Sequence, residues 1–182
     1  MPQPSEPKPV ICALCKVQEC HKPAEEADLP AYCPMVHSQD VLQAARDEYD
    51  KPDTRAFAQA AARTEADRYP LETRVEETMS FARRIGATHL GIATCIGFIQ
   101  EARILCEILR SHGLKVSSVC CKVGSVPKEE IGLSEADKIH PCHYEAMCNP
   151  VAQAKLLNSA GTDLNVLVVE WSSGEHAVGK DV

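Results

Sequence analysis

The chain has 182 residues, which is enough for one domain with a proper core and perhaps a small appendage, but not for two full domains. Its 26 acidic residues outnumber its 19 lysines and arginines, and no basic run is longer than a pair, which argues against nucleic acid or an anionic membrane as a main partner. Ten cysteines are many for a cytosolic protein, where such clusters indicate metal or redox chemistry more often than disulfides.

The chain begins with a polar, proline-rich stretch, and we expect residues 1–10 to be a disordered leader. This stretch contains no apolar core typical of a signal peptide, and no segment of the chain approaches the length of a membrane span. We therefore expect a cytoplasmic protein without a membrane partner. Residues 11–36 are rich in cysteine and proline and lack helical or strand periodicity, so we assign residues 1–36 to a leader followed by a cysteine-rich knuckle.

The knuckle carries four cysteines, Cys12, Cys15, Cys20 and Cys33, in the segments CALCKVQEC and YCP. A C-x2-C pair lets two thiolates bind one ion from a single turn, and two more thiolates complete a tetrahedral zinc site or hold an iron–sulfur cluster. The segment has almost no core of its own, so a bound metal is the obvious source of its folding free energy. The alternative is a set of reduced thiols, some of them buried as small apolar side chains.

A helical segment is predicted for residues 37–72. Residues 38–69 are alanine-rich and charged, with apolar positions at helical spacing that are interrupted at Lys51 and Pro52, so two helices fit. We assign the remaining residues, 73–182, to an α/β domain with an atypical C-terminal tail.

The α/β domain is predicted from alternating helix and strand signals. Thr73 and Glu76 form a capping box that starts a helix ending at Gly86. The runs HLGIAT, LKVSSV and NVLVV predict buried strands, and residues 97–112 and 149–160 predict the helices between them. This order predicts a three-layer α/β fold in which right-handed crossovers place helices on both faces of a parallel sheet.

A second group of cysteines follows the predicted strands. Its members are Cys95, Cys120, Cys121, Cys142 and Cys148. Their spacing alone says little, but the carboxyl ends of parallel strands share one edge of a sheet, where α/β proteins bind ligands in a crevice. We therefore expect these thiols to converge on a cofactor at that edge, with Cys142 as an alternate ligand.

Neighbouring side chains of this group suggest different roles. Cys120 and Cys121 are adjacent, so a disulfide between them would be strained, and successive strand side chains point to opposite faces. Cys95 precedes a helix start, where the helix dipole stabilises a thiolate or a bound anion.

His140 and His143 could ligate a metal, although exposed loop histidines are the favoured interpretation. Cys106 lies on a predicted helix and is interpreted as an ordinary core thiol.

At these residues the chain resembles a family of uncharacterised cysteine-rich metal-binding proteins, domain of unknown function 1847, found mainly in anaerobic prokaryotes. The matching segments are CALCKVQEC, CPM, THLGIATCIGF, CCKVG, KEEIG and EAMCNPVAQAKLLN. The resemblance implies metal binding through the N-terminal cysteines and an α/β domain with further cysteines, but no established reaction. The anaerobic setting favours iron–sulfur over zinc.

The resemblance ends after the NVLVV strand. Relatives continue with Gly-Leu-Cys text and another strand, whereas this chain continues as EWSSGEHAVGKDV. This difference implies a truncation or frameshift, a poorly ordered tail at residues 170–182, and a second cysteine site that lacks one thiol.

The leading functional hypothesis is an iron–sulfur protein that acts in electron transfer or in the reduction of a small molecule at the strand-end crevice, with a redox protein or that molecule as partner. The alternative is a zinc-binding structural or regulatory module without catalysis. A third hypothesis is thiol-based transfer of sulfur or metal by Cys95. No P-loop, dinucleotide-binding or serine-hydrolase motif is present in the sequence.

Overall fold

The protein is described by a computed structural model that covers residues 10–169. The chain forms two compact units, Met1–Ala61 and Ala62–Val182. The predicted C-terminal tail at residues 170–182, and all of the predicted leader except Val10, lie outside the described residues. In the described part of the chain, no helix is both long and apolar enough to cross a lipid bilayer.

The first unit contains the knuckle and the predicted helices. Its elements are two 3-10 turns at Cys12–Leu14 and Glu19–His21, a single helical turn α1 (Pro34–His37), α2 (Gln39–Glu48), and the first part of α3 (Pro52–Arg68). Helix α3 starts at the proline that interrupts the predicted helical pattern, because proline is favoured in the first turn of a helix. In the described part of this unit, the buried apolar residues are Cys33 and Ala60. The unit therefore has very little apolar core.

In the second unit, the predicted capping box follows the last part of α3. Helix α4 (Arg74–Arg84) starts after Thr73, whose side chain accepts the backbone N–H of Glu76 at 3.4 Å. The Glu76 carboxylate in turn accepts the backbone N–H of Thr73 at 2.8 Å. Both partners of the predicted box are thus present, and they satisfy two N–H groups that the helix leaves free.

Three strands form a parallel sheet, which confirms the predicted α/β fold. They are β1 (His89–Thr94), β2 (Lys115–Cys120) and β3 (Leu164–Val168), and their spatial order is β2-β1-β3. Every residue of the central strand β1 is buried. A continuous apolar run without alternation is what a strand covered on both faces requires.

Helices cover both faces of this sheet. On one face, Leu90, Ile92 and Val116 join a core with residues of α4 and α5 (Ile99–Ser111). On the other face lies α6 (Pro150–Ser159), whose buried Leu157 lies close to Gly91. The connection through α5 runs from β1 to β2, and the connection through α6 runs back in the opposite direction, past β1 to β3. Because both crossovers have the same hand, α5 and α6 lie on opposite faces of the sheet.

The predicted helix at residues 97–112 has a different start in the structure. A 3-10 turn at Ile96–Phe98 precedes α5. The hydroxyl of Thr94 donates to the carbonyl oxygens of Cys95 at 3.0 Å and Phe98 at 3.4 Å, which tightens the first turn after the strand. The helix then ends before Gly113, which has the left-handed conformation that favours glycine after a helix.

Candidate functional site

The candidate site lies at the carboxyl ends of β1 and β2. From β1 the chain continues to α5 on one face of the sheet, whereas from β2 it continues through a long loop to α6 on the other face. Two neighbouring strands that lead to opposite faces create a switch point, which is where open α/β sheets bind ligands. Cys95 follows β1, Cys120 is the last residue of β2, and Cys121 follows β2.

The long loop brings Cys148 to this edge. Pro127 and Ala146 form an antiparallel bridge, and the backbone N–H of Met147 donates to the Val126 carbonyl at 2.8 Å. The backbone N–H of Asn149 donates to the Cys121 carbonyl at 2.7 Å. The two ends of the loop are thereby held side by side, and the thiols of Cys148 and Cys121 form a hydrogen bond.

Cys121 is the most enclosed thiol of the group, with 1% of its surface exposed. Its Sγ accepts the backbone N–H of Ile96 at 3.3 Å, and its own N–H donates to the Thr94 carbonyl at 2.8 Å. Burial raises the pKa of the Cys121 thiol to about 12; the Ile96 N–H acts in the opposite direction, while Cys148 adds to the rise. Cys121 is therefore a neutral thiol near pH 7.

Gln153 links α6 by hydrogen bonds to the carboxyl ends of both β1 and β2. Its side-chain Nε2 donates to the carbonyls of Thr94 at 3.1 Å and Val119 at 2.8 Å, and the residue is buried. The sequence analysis did not identify this residue. The sequence did offer a signal, because Gln153 is a polar residue within the predicted helix of the segment EAMCNPVAQA. A glutamine that is buried there needs hydrogen-bond partners for its amide.

Cys95 and Cys120 both precede the Cys121–Cys148 pair in the chain. The backbone N–H of Cys95 donates to the Val168 carbonyl at 3.1 Å, which ties the end of β1 to β3. Cys120 is half-buried and shares its side of β2 with Ser118, whereas Cys121 lies beside α6 residues and the Ile96 turn. The adjacent cysteines therefore face different surroundings.

Cys142 lies in the middle of the loop and is exposed, with a left-handed φ of 64°. Its backbone N–H donates to the Glu135 carboxylate, which also pairs with Lys138 at 2.7 Å. Lys138 pairs with Glu129 as well, and its side chain is only 3% exposed. These ion pairs and the hydrogen bond hold the loop in place around the buried ammonium group of Lys138.

Cys15 has the most distinctive surroundings among the knuckle cysteines. The backbone N–H of Gln18, the Tyr32 hydroxyl and the backbone N–H of Val17 form hydrogen bonds to its sulfur and lower the pKa of the Cys15 thiol. Gln18 itself has a left-handed conformation, with a φ of 52°. Backbone N–H groups that converge on a cysteine sulfur stabilise a thiolate, the form that binds metals.

The other knuckle cysteines differ in exposure. Cys12 and Cys20 are exposed in the two 3-10 turns, and Cys33 is buried immediately before α1. The hydrogen bond that Tyr32 donates to the Cys15 sulfur raises the pKa of Tyr32 most, and the thiol of Cys33 is near enough to add to this rise. Tyr32 thus lies in the neighbourhood of two of the four predicted ligands.

The positions of these thiols and the groups around them bear on whether they could bind a metal. In residues 10–169, no three His, Cys, Asp or Glu side chains lie where they could together hold a metal ion. The observed features are the Cys121–Cys148 pair of sulfurs and the single sulfur of Cys15, and backbone N–H groups donate to a sulfur in each of them. Thiolate sulfur with N–H donors suits zinc and iron–sulfur clusters, so the donor chemistry fits such a group, although the third and fourth ligands are not gathered.

Comparisons with known proteins agree with the fold but add no activity. An uncharacterised protein of Methanocaldococcus jannaschii is 42% identical over 129 residues, which cover 71% of this chain and 65% of the relative. This chain thus aligns with slightly less than two thirds of that relative's length. No solved structure matches the chain. The family model described as "Protein of unknown function (DUF1847)" matches residues 33–170, beginning at Cys33 and ending beyond β3, so the chain belongs to this family.

Proposed function

We propose that the protein binds a metal centre, an iron–sulfur cluster, through thiols at the strand-end edge, and that it acts in electron transfer or in the reduction of a small molecule in that crevice. The observation that carries the proposal is the contact between the Cys121 and Cys148 thiols. Two cysteines from distant parts of the chain meet at the switch point of the sheet, and a third segment supplies an N–H to the sulfur of Cys121.

Cys121 and Cys148 are the first two ligands in this proposal, and Cys95, which follows β1 at the same edge of the sheet, is a further thiol that could join them. A bound iron–sulfur cluster would supply one-electron redox chemistry. The protein would contribute the rest: the Ile96 N–H orients and stabilises the Cys121 sulfur, and Gln153 holds the two strand ends in place. Hydrogen bonds to ligand sulfurs are a known determinant of reduction potential.

A second candidate function is a zinc-binding structural or regulatory module without catalysis. It is favoured by the Cys15 turn, in which two backbone N–H groups and the Tyr32 hydroxyl approach one sulfur. The first unit has very little apolar core, so a metal held by Cys12, Cys15, Cys20 and Cys33 would contribute directly to its folding. The two candidates concern different units and can both hold.

The test is metal and acid-labile sulfide analysis of the full chain purified without oxygen, together with its visible spectrum. We expect iron, sulfide and broad visible absorption, all reduced in Cys121→Ser and Cys148→Ser but retained in the control Cys106→Ser. Zinc without sulfide, lost in Cys15→Ser and retained in Cys121→Ser, would support the second candidate alone. Metal contents that do not respond to Cys121→Ser or Cys148→Ser would refute the first proposal.

A further inference from the structure

A cavity of about 380 Å³ lies between α5 and the carboxyl half of β2, on the opposite side of that strand from Cys121. Its base contains the buried residues Thr94 and Ala102. Beneath it, Leu109 and Val116 close the helix against the sheet. The cavity therefore continues the space between α5 and the sheet and opens at the edge strand β2. Its volume lies within the range of small-ligand sites.

The lining of this cavity combines apolar surface with polar and charged groups. Arg103, Cys106 and Arg110 come from α5, where their spacing of three and four residues places them along one stripe of the helix. Ser118 and Cys120 face them from β2, where alternate residues share a face. Two guanidinium groups, two thiols and a hydroxyl thus surround one space.

The two arginines are not neutralised by carboxylates. Within the described residues, Arg103 makes no hydrogen bond or ion pair, and Arg110 makes a single hydrogen bond, from its guanidinium to the Val116 carbonyl at 3.2 Å. Both arginines are exposed, so a ligand can reach their guanidinium groups from solvent. Two cations that share a cavity repel each other unless an anion lies between them.

We infer that this cavity binds a small oxyanion, a phosphate- or carboxylate-bearing metabolite, between Arg103 and Arg110. Guanidinium groups present paired N–H donors that match the oxygens of these anions. The Ser118 hydroxyl supplies a further donor, and Ile99 and Ala102 provide an apolar surface for the remainder of the molecule. The inference does not depend on a metal, because none of these residues belongs to the Cys121–Cys148 pair.

The first test is calorimetric titration of the full chain, reduced and free of oxygen, with inorganic phosphate in one arm and malonate in the other, at constant ionic strength. We expect saturable binding with one site per chain, weakened about tenfold or more in Arg103→Gln. The matched control is Arg83→Gln, an exposed arginine on α4. Tighter phosphate binding would identify a phosphorylated ligand, and tighter malonate binding a carboxylate.

The second test uses the cysteines that line the cavity and needs no substitution. Saturating anion should slow modification of Cys106 and Cys120 by the uncharged reagent N-ethylmaleimide, followed peptide by peptide, and should leave exposed Cys142 unaffected. The inference is overturned if neither anion binds, if Arg83→Gln weakens binding as much as Arg103→Gln, or if Cys106 and Cys120 gain no more protection than Cys142.

Discussion

Gly91 on β1 and Asn165 on β3 are paired across the sheet, and the Asn165 side chain occupies the space that a Cβ atom on Gly91 would need. The Asn165 Oδ1 lies 2.0 Å from the ideal position of that Cβ, and Leu157 Cδ2 lies 3.1 Å from it. Asn165 is held there by the Thr162 hydroxyl, which donates to Oδ1 at 2.8 Å. Glycine therefore allows the close packing of β1 against β3 and α6.

We predict that Gly91→Ala lowers the free energy of unfolding by about 1–3 kcal/mol, because the added methyl group must displace both neighbours. The double variant Gly91→Ala with Asn165→Ala should recover part of this loss. Urea unfolding measures both effects. Gly97→Ala is the control, since its Cβ would come no closer than 3.9 Å to the nearest neighbouring atom, the Cys95 sulfur. Strictly additive losses in the double variant would contradict the explanation.

A second prediction concerns the reactivity of Cys121. Because burial raises the pKa of this thiol to about 12, its thiolate fraction at pH 8 should be at least about a hundredfold below that of an ordinary thiol. In metal-free, reduced protein we expect iodoacetamide to modify exposed Cys142 at least about a hundredfold faster than Cys121. Equal rates, measured peptide by peptide in folded protein, would argue against the buried neutral thiol.

The same shift in the pKa of Cys121 predicts a dependence of stability on pH. Below the ordinary thiol pKa of about 8.5, Cys121 is protonated in both the folded and the unfolded chain, so it adds no pH dependence. Between that value and about 12, the unfolded chain releases a proton that the folded chain retains, and the stability of the metal-free protein falls as pH rises. Cys121→Ala should lessen this alkaline decline, as measured by urea unfolding at several pH values.

A fourth prediction concerns metal removal. Chelation or oxidation should unfold residues 11–36 while the α/β part stays largely folded, because the described part of the first unit buries so few apolar residues. Hydrogen exchange should show full exchange from Cys12 to Cys33 in the stripped protein and retained protection in β1 and α5. Protection that persists across the knuckle after metal removal would contradict this.

A fifth prediction concerns the loop between β2 and α6. In Lys138→Met, the carboxylates of Glu129 and Glu135 lose the cation that they share, and repulsion between them should open the loop. Hydrogen exchange over residues 128–146 should accelerate, with no change in β1. The control is Lys155→Met, an exposed lysine on α6. Equal exchange in the two variants would show that the ion pairs do not order the loop.

Local signals in the sequence were sufficient to predict most of the helices and strands of the second unit. The run HLGIAT corresponds to β1 residue for residue, the Thr73–Glu76 box starts α4, and Pro150 starts α6. Each of these features depends on neighbours within a few positions along the chain. The same is true of the interruption at Pro52, where α3 begins.

The sequence predicted that the second group of cysteines would gather at one edge of the sheet, but not which of them make contact there. The Cys121–Cys148 contact depends on the folding of the intervening loop around Lys138, which has no periodic pattern. Cys106 was interpreted as a core thiol, and its place in the arginine-lined cavity depends on how α5 lies over β2. These relationships arise from tertiary packing, for which a single sequence carries no direct signal.

The position of β1 at the centre of the sheet affects how this unit can form during synthesis. The strand is buried along its whole length, yet β2 and β3 are both synthesised later, and β3 only after the loop and α6. A nascent chain that has released β1 but not β3 exposes a six-residue apolar strand with an unpaired side. Stable folding therefore awaits residues far along the chain, and because long-range parallel pairing forms slowly, we expect this unit to be open to aggregation while it is incomplete.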